Sequence, residues 1–220
     1  MSKSKVSLLD SLSFQEFQDD AEFIPLMSSE DEEEMNNEDL PEILPILPLR
    51  NTVLFPGVVV PITAGRDKSI ALIHETNKEG KIIGVVSQKE EGEEDPGIDD
   101  INTIGTVAKI LKVLKMPDGN TTVIIQGKKR FQVSEVITTE PYITATVRAV
   151  EEARPAIDNA EFLVIVETIK EKSLAIIKDS PNIPSDASFA IKNIESPSFL
   201  INFVSSNLNI SVSEKQALLQ

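Results

Sequence analysis

Histidine and cysteine, which many nucleophilic and metal-assisted sites need, are almost absent from this 220-residue sequence. His74 is the only histidine, and cysteine is absent. A thiolate zinc site is therefore excluded, and neither a metal centre nor a Ser-His-Asp triad could draw on a second histidine. We predict that His74 is a surface or half-buried structural residue rather than a catalytic base. The lack of cysteine is also typical of a protein from a reducing compartment.

Carboxylates are concentrated in residues 89–100 (KEEGEEDPGIDD), where their density could suggest a calcium site. The segment lacks the regular spacing of oxygen ligands and the closing glutamate of an EF-hand loop. We therefore predict a solvated loop without a bound metal.

Lys128-Lys129-Arg130 is the only candidate phosphate-binding patch. The formal net charge is −15, but residues 1–42 carry −11 of it and the remainder only −4. A mildly acidic domain attracts a phosphate backbone weakly. An RNA groove also needs stacking aromatic side chains, whereas the chain has one tyrosine and no tryptophan. We predict a solvated turn at 127–130 and no nucleic-acid partner. A stand-alone RNA-binding module remains the alternative function.

Leu54, Phe55 and Pro56 are the candidate binding patch, because a large aromatic residue at a turn has no obvious strand partner. We predict that this turn is exposed and holds unfolded polypeptide weakly. The alternative is that Phe55 closes one end of the β domain.

The segment around this turn predicts the start of a β domain. Five prolines, which lack a backbone donor, restrict strands to 43–49 and 58–64. A helix over about 67–78 follows, ended by Gly80, and then a buried strand at 81–87.

Residues 104–116 contain two conflicting signals. Lysines at 109, 112 and 115 have helical spacing, but Pro117-Asp118-Gly119-Asn120 is a tight-turn sequence and residues 121–126 are β-branched or otherwise strand-forming. We predict a hairpin with a bulge. Further strands follow at 131–137 and 142–150, the second with clean alternation.

The two ends of the chain differ from this β domain. Residues 1–41 are acidic and without period, which predicts a disordered tail. A docking motif is the alternative, formed by Phe14, Phe17, Phe23, Ile24, Leu26 and Met27. No signal peptide or membrane span is recognisable, so we expect a soluble, cytoplasmic protein.

From Asp158 onward the period is helical. Asp158 with Glu161 could form a capping box. Ser196-Pro197 and Ser211 with Glu214 predict further helix starts. The last helix runs about two turns before Gln220, so we predict that the chain is cut within it. One face of the first helix should carry Phe162, Val166, Ile169 and Ile176.

These segments together resemble the N-terminal region of the Lon family, the ATP-dependent serine proteases also called endopeptidase La. The resemblance runs from about Glu42 to Gln220. It is carried by LPLRNTVLFPG, the GR-x-KS-I helix start and the LLK-x-PDG-like hairpin at 111–119. It implies an α+β fold, with a PUA-like, mostly antiparallel β domain and one main helix over 42–153. An all-α helical bundle subdomain would occupy 154–220.

The resemblance also implies a function. In that family the region recruits unfolded or damaged polypeptides for protein quality control and supports assembly with the AAA+ motor and Ser-Lys protease domains of a homo-hexamer. The full-length parent uses ATP and Mg. This sequence has no G-x-x-x-x-G-K-[ST] and no recognisable Ser-Lys segment. We therefore expect a non-catalytic chain without a cofactor or metal of its own, monomeric or weakly oligomeric when alone.

Overall fold

The computed structural model describes residues 27–78, 80–116, 120–151, 155, 159–180, 183 and 186–220. In these ranges six strands and six α-helices form an α+β fold, as predicted. A short 3-10 turn, Ile98–Asp100, lies between β3 and β4. The elements in chain order are α1 Ser29–Asn37, β1 Ile43–Leu49, β2 Val59–Ala64, α2 Asp67–Thr76, β3 Ile82–Ser87, β4 Ile104–Lys115, β5 Thr121–Thr138, β6 Thr144–Ala149, α3 Ala160–Asp179, α4 Asp186–Asn193, α5 Pro197–Asn207 and α6 Val212–Leu219.

The strands form one sheet in the order β2-β5-β4-β3-β1-β6, and β5 also pairs with β6. One side of β5 pairs with β4 along most of its length. On its other side, residues 121–126 pair with β2 and residues 131–138 with β6. Five strands therefore close into a ring. Only β1 and β3 are parallel among the pairings of the described strands, which confirms a mostly antiparallel sheet.

The hairpin prediction for residues 104–116 is confirmed. β4 and β5 are antiparallel from Lys115 opposite Thr121 to Ile104 opposite Gln132, and their register shifts twice within β4. These irregularities reconcile lysines three residues apart with a strand period of two. Residues 117–119, where the tight turn is predicted, lie outside the described residues.

The predicted turn at 127–130 is wrong, because β5 runs unbroken through it. Gly127 is needed there for close approach of another segment. A Cβ on Gly127 would lie 2.2 Å from the carbonyl oxygen of Phe55, a distance that no side chain can accept. Glycine inside this strand therefore reports close backbone packing and not a turn.

The inside of the sheet is tightly filled. Ile83 and Ile125 are fully buried in a cluster that Leu72 and Ile73 of α2 complete, and Phe131 is fully buried in a second cluster of the sheet. Large side chains meet small ones across the interior. A Cβ on Gly84, for example, would lie 2.9 Å from the ring of Phe131. Close packing of this kind makes the sheet a rigid support.

The disorder predicted for residues 1–41 is wrong at Ser29–Asn37, which forms α1. Residues 1–26 lie outside the described residues. Ser28 opens α1 by accepting a hydrogen bond from the Asp31 N–H at 3.1 Å, and the Asp31 carboxylate accepts from the Ser28 N–H in return. Met27 and Met35 are buried against α4 and α5. Burial of these two methionines gives this polar helix a docking site that its composition did not suggest.

The helix starts in the second half are largely as predicted. Ser196 caps α5 with Pro197 at its first turn, and Ser211 with Glu214 forms a capping box on α6. The cap of α3 differs, because Asn159 accepts from the Phe162 N–H at 3.0 Å. Asp158 itself lies outside the described residues.

His74 and the acidic segment 89–100 both have environments typical of structural residues. His74 is half-buried in the last turn of α2. Residues 89–100 are tied to α2 by Arg66, which donates to the Glu93 carbonyl at 3.1 Å, and by a 3.0 Å ion pair between Lys68 and Asp95.

Within the described ranges, no three acidic or histidine side chains cluster to hold a metal ion. No helix in those ranges is apolar enough over a sufficient length to cross a bilayer.

Candidate functional site

The longest helix of the described chain, α3, is the best candidate for an interaction surface. Its twenty residues contain neither glycine nor proline, so the helix continues without a break for about 30 Å. The run FLVIV at 162–166 begins within its first turn. Four consecutive apolar residues span a whole helical turn, so this end of α3 is apolar on every side. Such a helix end is normally enclosed by other elements.

In this structure α3 is not enclosed. Only one face is half-buried, and no residue of the helix is fully buried. Val166, Leu174 and Ile177 on that face pack against α4 and α5. On the other faces Leu163 is 46 % exposed, Val164 65 % and Ile165 50 %. We call these three residues, together with the exposed Ile176, the α3 surface.

The predicted inward face of α3 is correct at three of its four positions. Phe162, Val166 and Ile169 are half-buried, but Ile176 is 56 % exposed. Ile177 takes its place against the other helices. Ile177 lies eleven residues, or about three helical turns, after Val166, so both side chains are on the same side of the helix. Ile176 lies about 100° away from Ile177 around the helix axis.

A groove of about 430 Å³ lies between α3 and the start of α5. Its floor is apolar, since Ile194 and Leu200 are almost completely buried. Its walls also carry charge of both signs, with Glu167 and Lys170 on α3 and Glu195 before α5. The volume falls in the range of small-molecule and side-chain pockets. The remaining lining residues are Leu163, Val164, Val166, Ser196 and Pro197.

One end of this groove is fixed by a buried polar contact. The Ser196 hydroxyl accepts from the Phe199 N–H at 3.0 Å and donates to the carboxylate of Glu32 in α1. Both side chains are less than a tenth exposed. A buried carboxylate needs such donors. Ser196 therefore caps α5 and positions α1 beside the groove.

The patch predicted at Leu54, Phe55 and Pro56 is not exposed in the structure. Phe55 is 0 % exposed, Leu54 and Pro56 are buried, and the Leu54 carbonyl accepts from the Thr106 hydroxyl at 2.6 Å. Phe55 packs with Phe199 between the sheet and the helices. The expectation of exposure is wrong because Leu54 is buried in the sheet cluster beside α2, and helices from the second half of the chain cover Phe55.

The basic triplet is likewise occupied within the chain. Lys128 forms a 3.0 Å ion pair with Glu38, and Lys129 donates to the Glu38 backbone carbonyl. Arg130 donates to the Leu219 carbonyl at 2.8 Å and to the Asn202 side chain at 3.0 Å. These side chains join the sheet to α1, α5 and α6, so the expectation of solvated lysines and arginine is wrong.

A second cavity, of about 110 Å³, lies beside α2. Its two cations already contact protein acceptors. Lys68 pairs with Glu140 at 2.9 Å and with Asp95, and these hydrogen bonds raise the pKa of Lys68. Arg66 donates to Gln88 at 2.7 Å, while burial and the nearby Arg50 lower its pKa. The cavity is smaller than ordinary ligand sites.

Comparison with known proteins places this architecture in a family. The sequence model described as the ATP-dependent protease La (LON) substrate-binding domain matches residues 43–220. The chain belongs to the Lon substrate-binding domain family. The family resemblance of the sequence is therefore confirmed, and α1 lies before the region that the family model matches.

Curated Lon proteases match over nearly the whole chain. The chain is 66 % identical to the Lon protease of Flavobacterium johnsoniae over 219 residues, covering 100 % of this chain and 27 % of that protein. It is 47 % identical to the Lon protease of Cytophaga hutchinsonii, covering 90 % of this chain and 24 % of the relative. The chain thus spans about a quarter of the length of the curated relatives it matches.

Solved structures of Lon N-terminal domains have the same fold. The N-terminal domain of the Mycobacterium avium complex Lon protease matches with a TM-score of 0.66 at 22 % identity, covering 81 % of this chain and 90 % of that one. A Lon N-terminal domain protein from Xanthomonas campestris matches with a TM-score of 0.57 at 18 % identity, covering 81 % and 89 %. At these identities the likeness concerns the fold alone.

Sequence reasoning missed the α3 surface of this Lon-type domain. The available signal was the run at 162–166, which is apolar on all sides of a helix and therefore has more apolar surface than one packed face can cover. Phe189 on α4 was missed in the same way, and it is 67 % exposed.

Proposed function

We propose that this chain is the substrate-recruiting N-terminal region of a Lon-type protease and that it binds unfolded polypeptide at the α3 surface and its groove. The exposure of Leu163, Val164 and Ile165 carries this proposal. Folded proteins seldom present large contiguous apolar patches, whereas unfolded chains present many apolar side chains close together. A surface that gains from apolar contact therefore distinguishes unfolded from folded partners.

The affinity of one such site is modest. Burying ~200 Å² of apolar surface contributes about 5 kcal/mol before the cost of ordering the partner is subtracted. A weak site suits a domain that must release what it binds. Several copies in an oligomer would raise the affinity by roughly 10²–10⁴ through avidity.

The proposal extends to the parent protein. Relatives named Lon protease support a parent that hydrolyses peptide bonds, with this region contributing binding and not chemistry. We propose that AAA+ and protease domains of the same parent use ATP and Mg²⁺ and receive the polypeptide from this region. In this proposal the parent is a cytoplasmic homo-hexamer that acts in protein quality control.

The RNA-binding alternative is not supported. The cationic side chains of its only candidate patch, 128–130, already donate hydrogen bonds to Glu38, Leu219 and Asn202. The apolar groove between α3 and α5 offers no stacking aromatic among its lining residues.

The test is titration of the 220-residue chain with a reduced and carboxymethylated model protein and, separately, with a single-stranded RNA. We expect polypeptide binding that changes little between about 50 and 200 mM salt, because apolar burial releases few counterions. Leu163→Asp should weaken this binding about tenfold or more, since it places a charge on the contact surface.

Leu111→Asp is the matched control. Leu111 is 43 % exposed, close to the value for Leu163, but lies on β4 of the sheet. We expect Leu111→Asp to bind polypeptide as the unaltered chain does. Equal losses for the two variants, or an unchanged affinity for Leu163→Asp, would refute the α3 site. Tight RNA binding with a steep salt dependence would favour the alternative function instead.

A further inference from the structure

Residues 6–26, which lie outside the described residues, have the composition of a polypeptide that the α3 groove would bind. These 21 residues contain nine large apolar side chains, three of them phenylalanine. They are tethered to the folded chain at one known point, because Met27 is buried and α1 follows it immediately.

That tether point lies next to the groove. Met27 belongs to the same buried cluster as Leu200, whose side chain forms part of the groove floor. Glu32 of α1 hydrogen-bonds to Ser196, which lines the groove as well. Residues 6–26 therefore join the folded protein beside the α3 surface, on the side where α5 begins.

We propose that residues 6–26 bind in the α3–α5 groove of their own chain and compete there with foreign unfolded polypeptide. This inference rests on the proposed function, and it adds regulation of the same site. At ~3.3 Å per residue, Phe17 can lie as far as ~33 Å from Met27, which is about the length of α3. The segment can thus reach every part of the groove.

The contact would be apolar. Glu167 and Glu195 at the groove outnumber Lys170, so charge does not attract an acidic segment to it. Tethering supplies the advantage instead, because a short tether gives an effective concentration of about 1 mM. If the groove binds such a segment with Kd of about 0.1 mM, the segment occupies it about nine-tenths of the time. The apparent affinity for a foreign polypeptide then falls about tenfold.

The direct experiment uses the absence of cysteine in the chain. Ser13→Cys in the full 220-residue chain carries a nitroxide spin label, and methyl signals of Leu163, Val164 and Leu200 are observed by NMR. We expect strong paramagnetic broadening of these signals and none at Leu111. Absence of broadening at the groove overturns the proposal. Broadening that occurs only when the spin label and the observed methyl groups are on different molecules also overturns the proposal. A second copy of the chain would then occupy the groove.

The functional experiment is binding of the carboxymethylated model protein to the Phe14→Ser/Phe17→Ser variant of the full chain. We expect binding about 5–10 times tighter than for the unaltered chain, because the internal competitor is weakened. Gln15→Ser/Gln18→Ser changes polar neighbours only and should leave the affinity unchanged. An unchanged affinity for the phenylalanine variant contradicts the inference.

Failure of this inference is distinguishable from failure of the proposed function. If Leu163→Asp loses polypeptide binding while Phe14→Ser/Phe17→Ser has no effect, the α3 site stands and its occupation by residues 6–26 is refuted. If Leu163→Asp binds polypeptide normally, the proposed site fails. The spin-label experiment then still decides by itself whether residues 6–26 bind in the groove.

Discussion

The closed sheet and helix α3 differ in the burial of their apolar side chains. In the sheet, Ile83, Ile125 and Phe131 are fully buried, the first two in a cluster that α2 completes. In α3, twenty residues include no buried side chain, and the apolar end of the helix lies at the surface. The sheet is therefore the closely packed support, and we propose that the exposed surface of α3 binds the partner.

The junction between these regions belongs to neither of them alone. Phe55 and Val58, from the segment between β1 and β2, share a buried cluster with Phe199 and Leu200 of α5. Arg130, in the middle of β5, reaches the last carbonyl of α6. The sheet thus contacts the helices through buried residues, while Leu163, Val164 and Ile165 of α3 stay exposed. Four predictions test this division, beginning with the largest effect.

Phe55→Ala and Phe189→Ala remove the same side chain from the two kinds of environment. We expect Phe55→Ala to lower the free energy of unfolding by about 3–5 kcal/mol, because it leaves a cavity at the junction. Phe189 is 67 % exposed, so its substitution should change stability by less than about 0.5 kcal/mol. Urea denaturation followed by circular dichroism measures both. Similar values for the two variants would show that the division into closed and open regions is wrong.

Arg130→Gln tests the connection between the sheet and α6. The substitution removes the hydrogen bond to the Leu219 carbonyl, and bonds from charged donors contribute about 1.5–3 kcal/mol. We expect amide hydrogen exchange in α6 to accelerate about 10–100-fold while the β3 amides change little. Lys112→Gln, at an exposed position of β4, is the control and should leave α6 unchanged. Uniform acceleration in both regions would mean that they unfold as one unit.

Ser196→Ala tests the buried contact that holds α1 beside the groove. Loss of the α5 cap costs about 1 kcal/mol, and Glu32 loses a donor in a buried position. We therefore expect a total loss of about 1–2 kcal/mol and faster exchange of the α1 amides. Ser211→Ala removes a cap that is exposed, and it should cost less. If both variants cost the same and α1 is unaffected, the link between Ser196 and Glu32 contributes nothing.

The pH dependence of the capping boxes should be the smallest effect. Hydrogen bonds from Ser211 lower the pKa of Glu214, and those from Ser28 lower the pKa of Asp31. A carboxyl group whose pKa is lower when folded stabilises the fold fully above its unfolded pKa. That contribution disappears as the pH falls through the folded pKa. We expect α1 and α6 to fray below about pH 4 before the sheet unfolds.

NMR titration of the Glu214 side chain checks this directly. In Ser211→Ala the pKa of Glu214 should return toward its ordinary value, because the donors that stabilise the carboxylate are lost or misplaced. A Glu214 pKa that is the same in the two proteins would contradict the prediction.

Local sequence signals predicted well those elements whose boundaries depend on nearby residues. The strand at 43–49 and the caps at Ser196 and Ser211 were correct, because proline restriction and side-chain capping act within a few residues. The turn at 127–130 was predicted wrongly because that prediction also used local signals alone. Gly127 looked like a turn residue, whereas its role is set by Phe55, which is distant in sequence.

The candidate site could not be predicted in this way, because exposure depends on what other segments cover. Leu54, Phe55 and Pro56 looked open in sequence, but Leu54 is buried in the cluster that α2 completes, and Phe55 is covered by helices from the far end of the chain. Phe162 and Val166 were predicted on one face of α3 and are half-buried, whereas Leu163, Val164 and Ile165 between them are exposed.

The sequence by itself determined the family, the α+β class, the β4–β5 hairpin and the lack of a second histidine or any cysteine for catalysis. These follow from residue types and from interactions over short separations. Only the tertiary structure decided that α1 is docked, that 128–130 joins two regions and that the α3 surface is open. The physical reason is that burial is a property of pairs of surfaces, and which surfaces meet is settled by closure of the whole chain.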